Sequence, residues 1–137
     1  MNHTQPSTQT ESSAPIKKRV RKVLDHARVS IRANYNNTIV TLTDMEGKVL
    51  AWSSPGSNGY KGSRQSTPYA GQVAAEKLAE KAASFGVKTV DVSIKGMGPG
   101  RDQTVRGLIN GGLMLTSLID RSRLPHGGCR HQRIRKI

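Results

Sequence analysis

Residues 87–119 read VKTVDVSIKGMGPGRDQTVRGLINGGLMLTSLI, and their pattern decides the fold. From Val87 to Lys95 apolar and polar residues alternate, with Val90, Val92 and Ile94 on one side, the period of a half-buried strand. Gly96-Met97-Gly98-Pro99-Gly100-Arg101 breaks that alternation. A short helix follows, with Val105, Leu108 and Ile109 at helical spacing, and Gly111-Gly112 ends it. Leu113 to Ile119 is a second strand. Strand, helix and strand in immediate succession make a crossover unit, which is right-handed and leaves its two strands parallel.

Upstream, Thr67-Pro68 has the form of an N-cap followed by proline at the first helical position. The helix it opens is expected to reach about Phe85 and to stop at Gly86. Its inner face, Ala70, Ala74, Leu78, Ala82 and Phe85, is mostly alanine, which lets a helix lie close to a sheet. Before it, residues 53–66 (SSPGSNGYKGSRQS) form a Gly- and Ser-rich loop. Three strands precede the loop. Val29, Ile31 and Ala33 alternate with Arg28, Ser30 and Arg32; Thr38 to Asp44 is β-branched; Lys48 to Ser53 contains the only tryptophan, Trp52. The first turn is Asn36-Asn37, assigned because asparagine tolerates left-handed angles, and the second is Glu46-Gly47. Two short connections imply an antiparallel meander. The order β-β-β-α-β-α-β predicts an α/β fold, a three-layer sandwich around a mixed five-stranded sheet.

Charge divides the chain differently. Lys and Arg number 22 against 9 Asp and Glu in 137 residues, a net charge of +13. Residues 121–137 carry Arg121, Arg123, Arg130, Arg133, Arg135 and Lys136 and no acid. Residues 1–27 carry Lys17, Lys18, Arg19, Arg21 and Lys22 against Glu11 and Asp25. The expected division is a disordered polar extension (1–16), a basic tail (17–27), an α/β RNA-binding domain (28–120) and a second basic tail (121–137). Such an excess of cations calls for a polyanionic partner, nucleic acid first. A membrane partner is not expected, because no amphipathic helix or lipid anchor accompanies the cations and no apolar run approaches the ~20 residues of a spanning helix. One cysteine, Cys129, excludes an internal disulfide and fits a reducing compartment.

Sites for chemistry are poorly supported. The 96–101 loop lacks the Gly-Lys-Ser/Thr of a P-loop, having Gly100-Arg101-Asp102, and its G-x-G-x-G spacing is not the dinucleotide fingerprint. Two readings stay open for it: a tight strand-to-helix turn, or a phosphate held by its amides with Lys95 and Arg101. The 53–66 loop is likewise either a floppy connection or a surface for close approach of an RNA backbone, with Lys61 and Arg64 in it. His126, Cys129 and His131 lack a fourth zinc ligand nearby. Asp44, Glu46, Asp91, Asp102 and Asp120 are the acids a two-metal nuclease would need, and nothing in their spacing makes them converge. No enzyme activity, cofactor or small-molecule substrate is expected. With five aromatic residues, none in the tails, recognition is expected to lean on backbone and shape rather than base stacking.

Several stretches resemble a known family. They are Asn36-Asn37-Thr38-Ile39-Val40-Thr41, Gly62-Ser63-Arg64 with Ser66-Thr67-Pro68-Tyr69-Ala70, Gln72-Val73-Ala74-Ala75-Glu76, Lys95-Gly96, Gly98-Pro99-Gly100-Arg101, and Pro125-His126 with Gly128-Cys129-Arg130. In order and spacing they resemble the bacterial-type small-subunit ribosomal proteins of the S-eleven family, from about Lys18 to the end. The resemblance implies a ribonuclease-H-like fold without that fold's catalytic metal site. It implies a structural role on the platform of the small ribosomal subunit, bridging ribosomal RNA helices near the messenger RNA (Shine-Dalgarno) cleft. The neighbours it implies are proteins of the S-seven and S-eighteen families. It places this protein in the cytoplasm on the ribosome, or on an organellar ribosome. The expected RNA contacts are Lys17, Lys18, Arg19, Arg21 and Lys22; Asn36 and Asn37; Lys61, Gly62, Ser63 and Arg64; Lys95, Gly96, Gly98, Gly100 and Arg101; and His126, Arg130, Arg133, Arg135 and Lys136. Met97, Gln65 and Gly127 depart from the family's usual proline, lysine and asparagine.

Overall fold

The computed structural model describes residues 23–137; the polar extension and the Lys17–Lys22 cluster lie outside the described residues. The elements are β1 (His26–Ala33), β2 (Thr38–Thr43), β3 (Val49–Ser53), α1 (Pro68–Ala83), β4 (Thr89–Lys95), α2 (Arg101–Asn110) and β5 (Met114–Asp120). They build one mixed sheet in the order β3-β2-β1-β4-β5. β1–β2 and β2–β3 are antiparallel, and β1–β4 and β4–β5 are parallel. The expected α/β class and element order are therefore present.

The layering differs from a sandwich covered on both sides. From β3 the chain crosses to β4, and from β4 to β5, in the same direction along the sheet. Two right-handed crossovers in one direction put both helices on the same face. That face holds the core: Ala27, Val29, Ile31, Val40, Leu42, Val90, Val92 and Ile94 from the strands meet Ala74, Leu78, Ala82 and Leu108 from the helices. Among the described residues no helix covers the opposite face, where Arg28, Arg32, Ile39 and Trp52 are exposed.

The helices also pack on each other through small residues. A Cβ on Gly107 would lie 2.6 Å from the Gln72 carbonyl oxygen, and one on Gly111 would lie 2.3 Å from Ala79 Cβ. This is why Ile109, at helical spacing with Leu108, is 53% exposed: the side of α2 turned inward carries Thr104, Gly107 and Leu108.

The turns have their own chemistry. Thr67 caps α1 as expected, its Oγ1 accepting from the Ala70 N–H. The Asn36-Asn37 turn needs no left-handed residue, since no non-glycine residue among the described residues has positive φ. Instead the Asn37 carboxamide accepts from the Thr38 N–H at 2.9 Å, and the Asn34 N–H donates to the Asn37 carbonyl at 2.8 Å. An asparagine is wanted here for its side-chain acceptor, not for its backbone freedom.

Candidate nucleic-acid interface

β1, β3, β4 and β5 all run the same way, so their carboxyl ends lie along one end of the sheet. Open α/β sheets bind ligands at that end. Three segments meet there: the β1–β2 turn with Asn36 and Asn37, the glycine loop 96–100, and the root of the C-terminal tail. The 54–67 loop leaves from the same end, after Ser53. Both helices also start at this end, at Pro68 and Arg101, adding the partial positive charge of their N-termini.

Glycine at 96 and 98 is what lets the loop close on the turn. Gly96 has φ +99°, and a Cβ there would lie 2.2 Å from the Ala33 carbonyl oxygen; at Gly98 it would lie 2.3 Å from that of Asn34. The Gly98 N–H donates to the Ala33 carbonyl at 2.9 Å, and the Gly96 N–H donates to the Ser122 hydroxyl at 3.2 Å. Those two amides are engaged inside the protein. Of the two readings of this loop, the strand-to-helix turn accounts for them.

Arg101 is engaged too. One guanidinium nitrogen donates to the Gly96 carbonyl at 2.7 Å, and the other is bonded to the Asp120 carboxylate. The Ser122 hydroxyl donates to the second Asp120 oxygen at 2.7 Å. The Ser122 hydrogen bond first, and Arg101 second, lower the Asp120 carboxyl to about 2. Arg101 thus clasps the glycine loop to the end of β5 and positions its neighbours.

The 53–66 loop is pinned at many points. The Ser54 and Ser57 side chains each accept from the other's N–H, at 3.3 and 3.1 Å. Gln65 Nε2 donates to the Tyr60 carbonyl at 3.1 Å, so the glutamine at this departure from the family pattern ties the loop to itself. Lys61 and Arg64 line a groove of about 600 Å³ together with Tyr60 and Tyr69. Gly62 and Ser63 sit in the short 3-10 turn Gly62–Ser66, exposed beside them.

The C-terminal tail makes no helix or strand, and His126, Arg130, Arg133, Arg135 and Lys136 are all exposed. Cys129 is an exposed free thiol. Among the described residues no three His, Cys, Asp or Glu side chains stand together as metal ligands. Asp91 accepts from Ser117 at 2.8 Å and from His26 at 3.1 Å, contacts that hold its carboxyl below the usual range. Ser117 bonds to the aspartate and not to the histidine, which is no arrangement for activating a nucleophile.

Three exposed arginines stand outside the expected RNA contacts: Arg28 and Arg32 on the uncovered face, and Arg123 beside the tail's root. The signal was available in the polar phase of β1, Arg28-x-x-x-Arg32.

Comparison with known proteins gives the arrangement its setting. The family model for ribosomal protein S11 matches residues 27–136. The chain belongs to the ribosomal protein S11 family. It is 45% identical to the small ribosomal subunit protein uS11 of Hydrogenovibrio crunogenus over 127 residues, 93% of this chain and 98% of that one. It is also 45% identical to the uS11 of Hamiltonella defensa over 128 residues, 92% of this chain and 99% of that one. As an S11-family protein of the bacterial type it is a structural, non-enzymatic component. The match takes in β1 apart from His26, the other four strands, both helices and all but the last residue of the C-terminal tail.

Proposed function

We propose that this chain is a structural constituent of the small ribosomal subunit that binds and bridges ribosomal RNA helices on the subunit's platform. The messenger RNA cleft and proteins of the S-seven and S-eighteen families are its neighbours in this reading, and the ribosome in the cytoplasm is its location. The observation that carries it, beside the family membership, is where the free cations are. Lys61, Arg64, Lys95 and Arg123 stand at the carboxyl end of the sheet without ion pairs among the described residues.

Bridging has a geometric basis. The C-terminal tail leaves from the carboxyl end of β5, whereas Leu24 enters at the other end, its N–H bonded to the Phe85 carbonyl. The two ends are separated by the eight residues of β1, about 25 Å at the strand rise. Cations on both sides of a rigid sheet reach separate RNA segments, as one patch does not. In this reading Lys17, Lys18, Arg19, Arg21 and Lys22 serve the near end and residues 121–137 the far end, and the two basic tails order on RNA.

Sedimentation of tagged protein from a cell lysate tests the assignment. Co-migration with small subunits that survives high salt is expected. Recovery only at the top of the gradient refutes it.

A further inference from the structure

We infer that the uncovered face of the sheet holds an RNA phosphodiester at the carboxyl ends of β1 and β4, gripped by Arg32, Lys95 and Arg123. The inference rests on the ribosomal reading and names one contact surface within it. A groove of about 570 Å³ opens there, lined by Ser30, Arg32, Asn34, Thr41, Lys95 and Arg123 among others.

Strand register makes the case. Along the β1–β4 pair, Arg28 stands opposite Asp91, Ser30 opposite Ser93, and Arg32 opposite Lys95. The first rung is complementary in charge. The third sets two cations side by side on the same face, both exposed and neither in an ion pair among the described residues. Like charges directly opposite destabilise a sheet. An anion between them removes that penalty and turns it into affinity.

The third cation arrives by a fixed route. The Arg121 N–H donates to the Ile94 carbonyl at 2.8 Å, continuing the pairing with β4, and Ser122 is clamped between Gly96 and Asp120. Arg123, the next residue, is thereby delivered to the groove. No acid lines it. Ser30, Thr41 and Asn34 supply the hydroxyl and carboxamide donors that phosphate oxygens accept from. Only a chain-like anion engages both this groove and the Arg130–Lys136 run a few residues on. That points to a nucleic-acid backbone and not to a small anion. Contacts of this kind fix the register of the RNA without reading its sequence.

The test is filter binding of the full-length protein to transcribed small-subunit ribosomal RNA across a salt series. Each of Arg32→Gln and Lys95→Gln should lower the slope of log affinity against log salt by about one. At physiological salt that is roughly a 5-fold loss for each variant. The thermal midpoint of free R32Q should be unchanged or raised, which separates lost contact from lost folding. Lys77→Gln, on the exposed side of α1 where it pairs with Glu80, should bind as wild type. Wild type binding steeply while the R32Q/K95Q double variant matches it in affinity and slope overturns the groove and leaves the ribosomal reading standing. K77Q losing as much as R32Q overturns it too. A double variant that binds RNA normally yet is missing from small subunits assigns the groove to an acidic protein segment instead. Wild type that fails to bind this RNA overturns the ribosomal reading, and the groove falls with it.

Discussion

Gly107→Ala sets two energies of opposite sign against each other at the α1–α2 contact. Alanine in a helix interior is favoured over glycine by roughly 0.5–1 kcal/mol. Against that, the new methyl would stand 2.6 Å from the Gln72 carbonyl oxygen, 2.9 Å from Ala75 Cβ and 3.2 Å from Gln72 Cα. Two of those three atoms are backbone of α1 and cannot turn aside, so α2 must move off its partner. Overpacking of this kind costs about 1–3 kcal/mol. The steric cost is the larger, and a net destabilisation of about 1–2 kcal/mol is expected. For a domain of this size that lowers the thermal midpoint by roughly 5–10 °C. Urea unfolding followed by far-ultraviolet circular dichroism gives the free-energy change directly. Adding Ala75→Gly should restore part of the loss and not all of it, because the Gln72 carbonyl remains in place. A Gly107→Ala variant as stable as wild type, or more so, refutes the close helix–helix contact.

Three further outcomes follow from particular groups. Thr38→Val should leave stability unchanged or raise it by up to about 1 kcal/mol in urea unfolding, since the buried Thr38 Oγ1 has no hydrogen-bond partner to lose among the described residues. Asp120, held at about 2 in the fold against an unfolded value of about 3.9, contributes stability that is present above the unfolded value. That contribution is lost as pH falls through the folded value, so Asp120→Asn should be less stable than wild type near neutrality. The gap between them should close in acid, as unfolding midpoints between about pH 5 and pH 2 will read. Removing residues 124–137 keeps the Ser122 clamp and deletes Arg130, Arg133, Arg135 and Lys136; the salt slope of ribosomal RNA binding should fall by about 3–4. An unchanged slope would mean that the tail meets no phosphate.

Alternation in β1 and β4 was legible because one phase is apolar, and the capping of α1 because Thr67-Pro68 is a local signal. What stayed hidden is non-local. Periodicity tells which residues share a face, but which face the helices cover depends on strand order, and β1 lies between β2 and β4 only once the chain has crossed over. Arg28 and Arg32 therefore read as an ordinary polar phase until the opposite face was seen to hold both helices. The role of Arg101 within the fold stays hidden for the same reason. Next to a glycine loop it looks like a phosphate ligand, and its partner within the fold, Asp120, comes from the end of a strand nineteen residues later. Composition alone leaves the 53–66 loop either floppy or functional. Its serines and Gln65 fix it through short-range hydrogen bonds that composition does not specify.

How the few acids are used gives the charge its functional meaning. Asp120 neutralises Arg101, which clasps the glycine loop, and Asp91 stands opposite Arg28 with His26 and Ser117 bonded to it. Glu80 pairs with Lys77 along α1. Each of these acids thus answers a cation or a hydrogen-bond donor that the fold itself needs. The cations left without such a partner among the described residues include Arg32, Lys61, Arg64, Lys95 and Arg123, all at or beside one end of the sheet. A protein that stood alone would lose stability by gathering them there, since uncompensated charge repels itself. Gathering them is stabilising only when a polyanion arrives, and each phosphate engaged releases counterions as it does so. In the proposed reading the cations that repel one another in the free protein are those that grip RNA, so replacing Arg32 should lower RNA affinity while the thermal midpoint stays unchanged or rises.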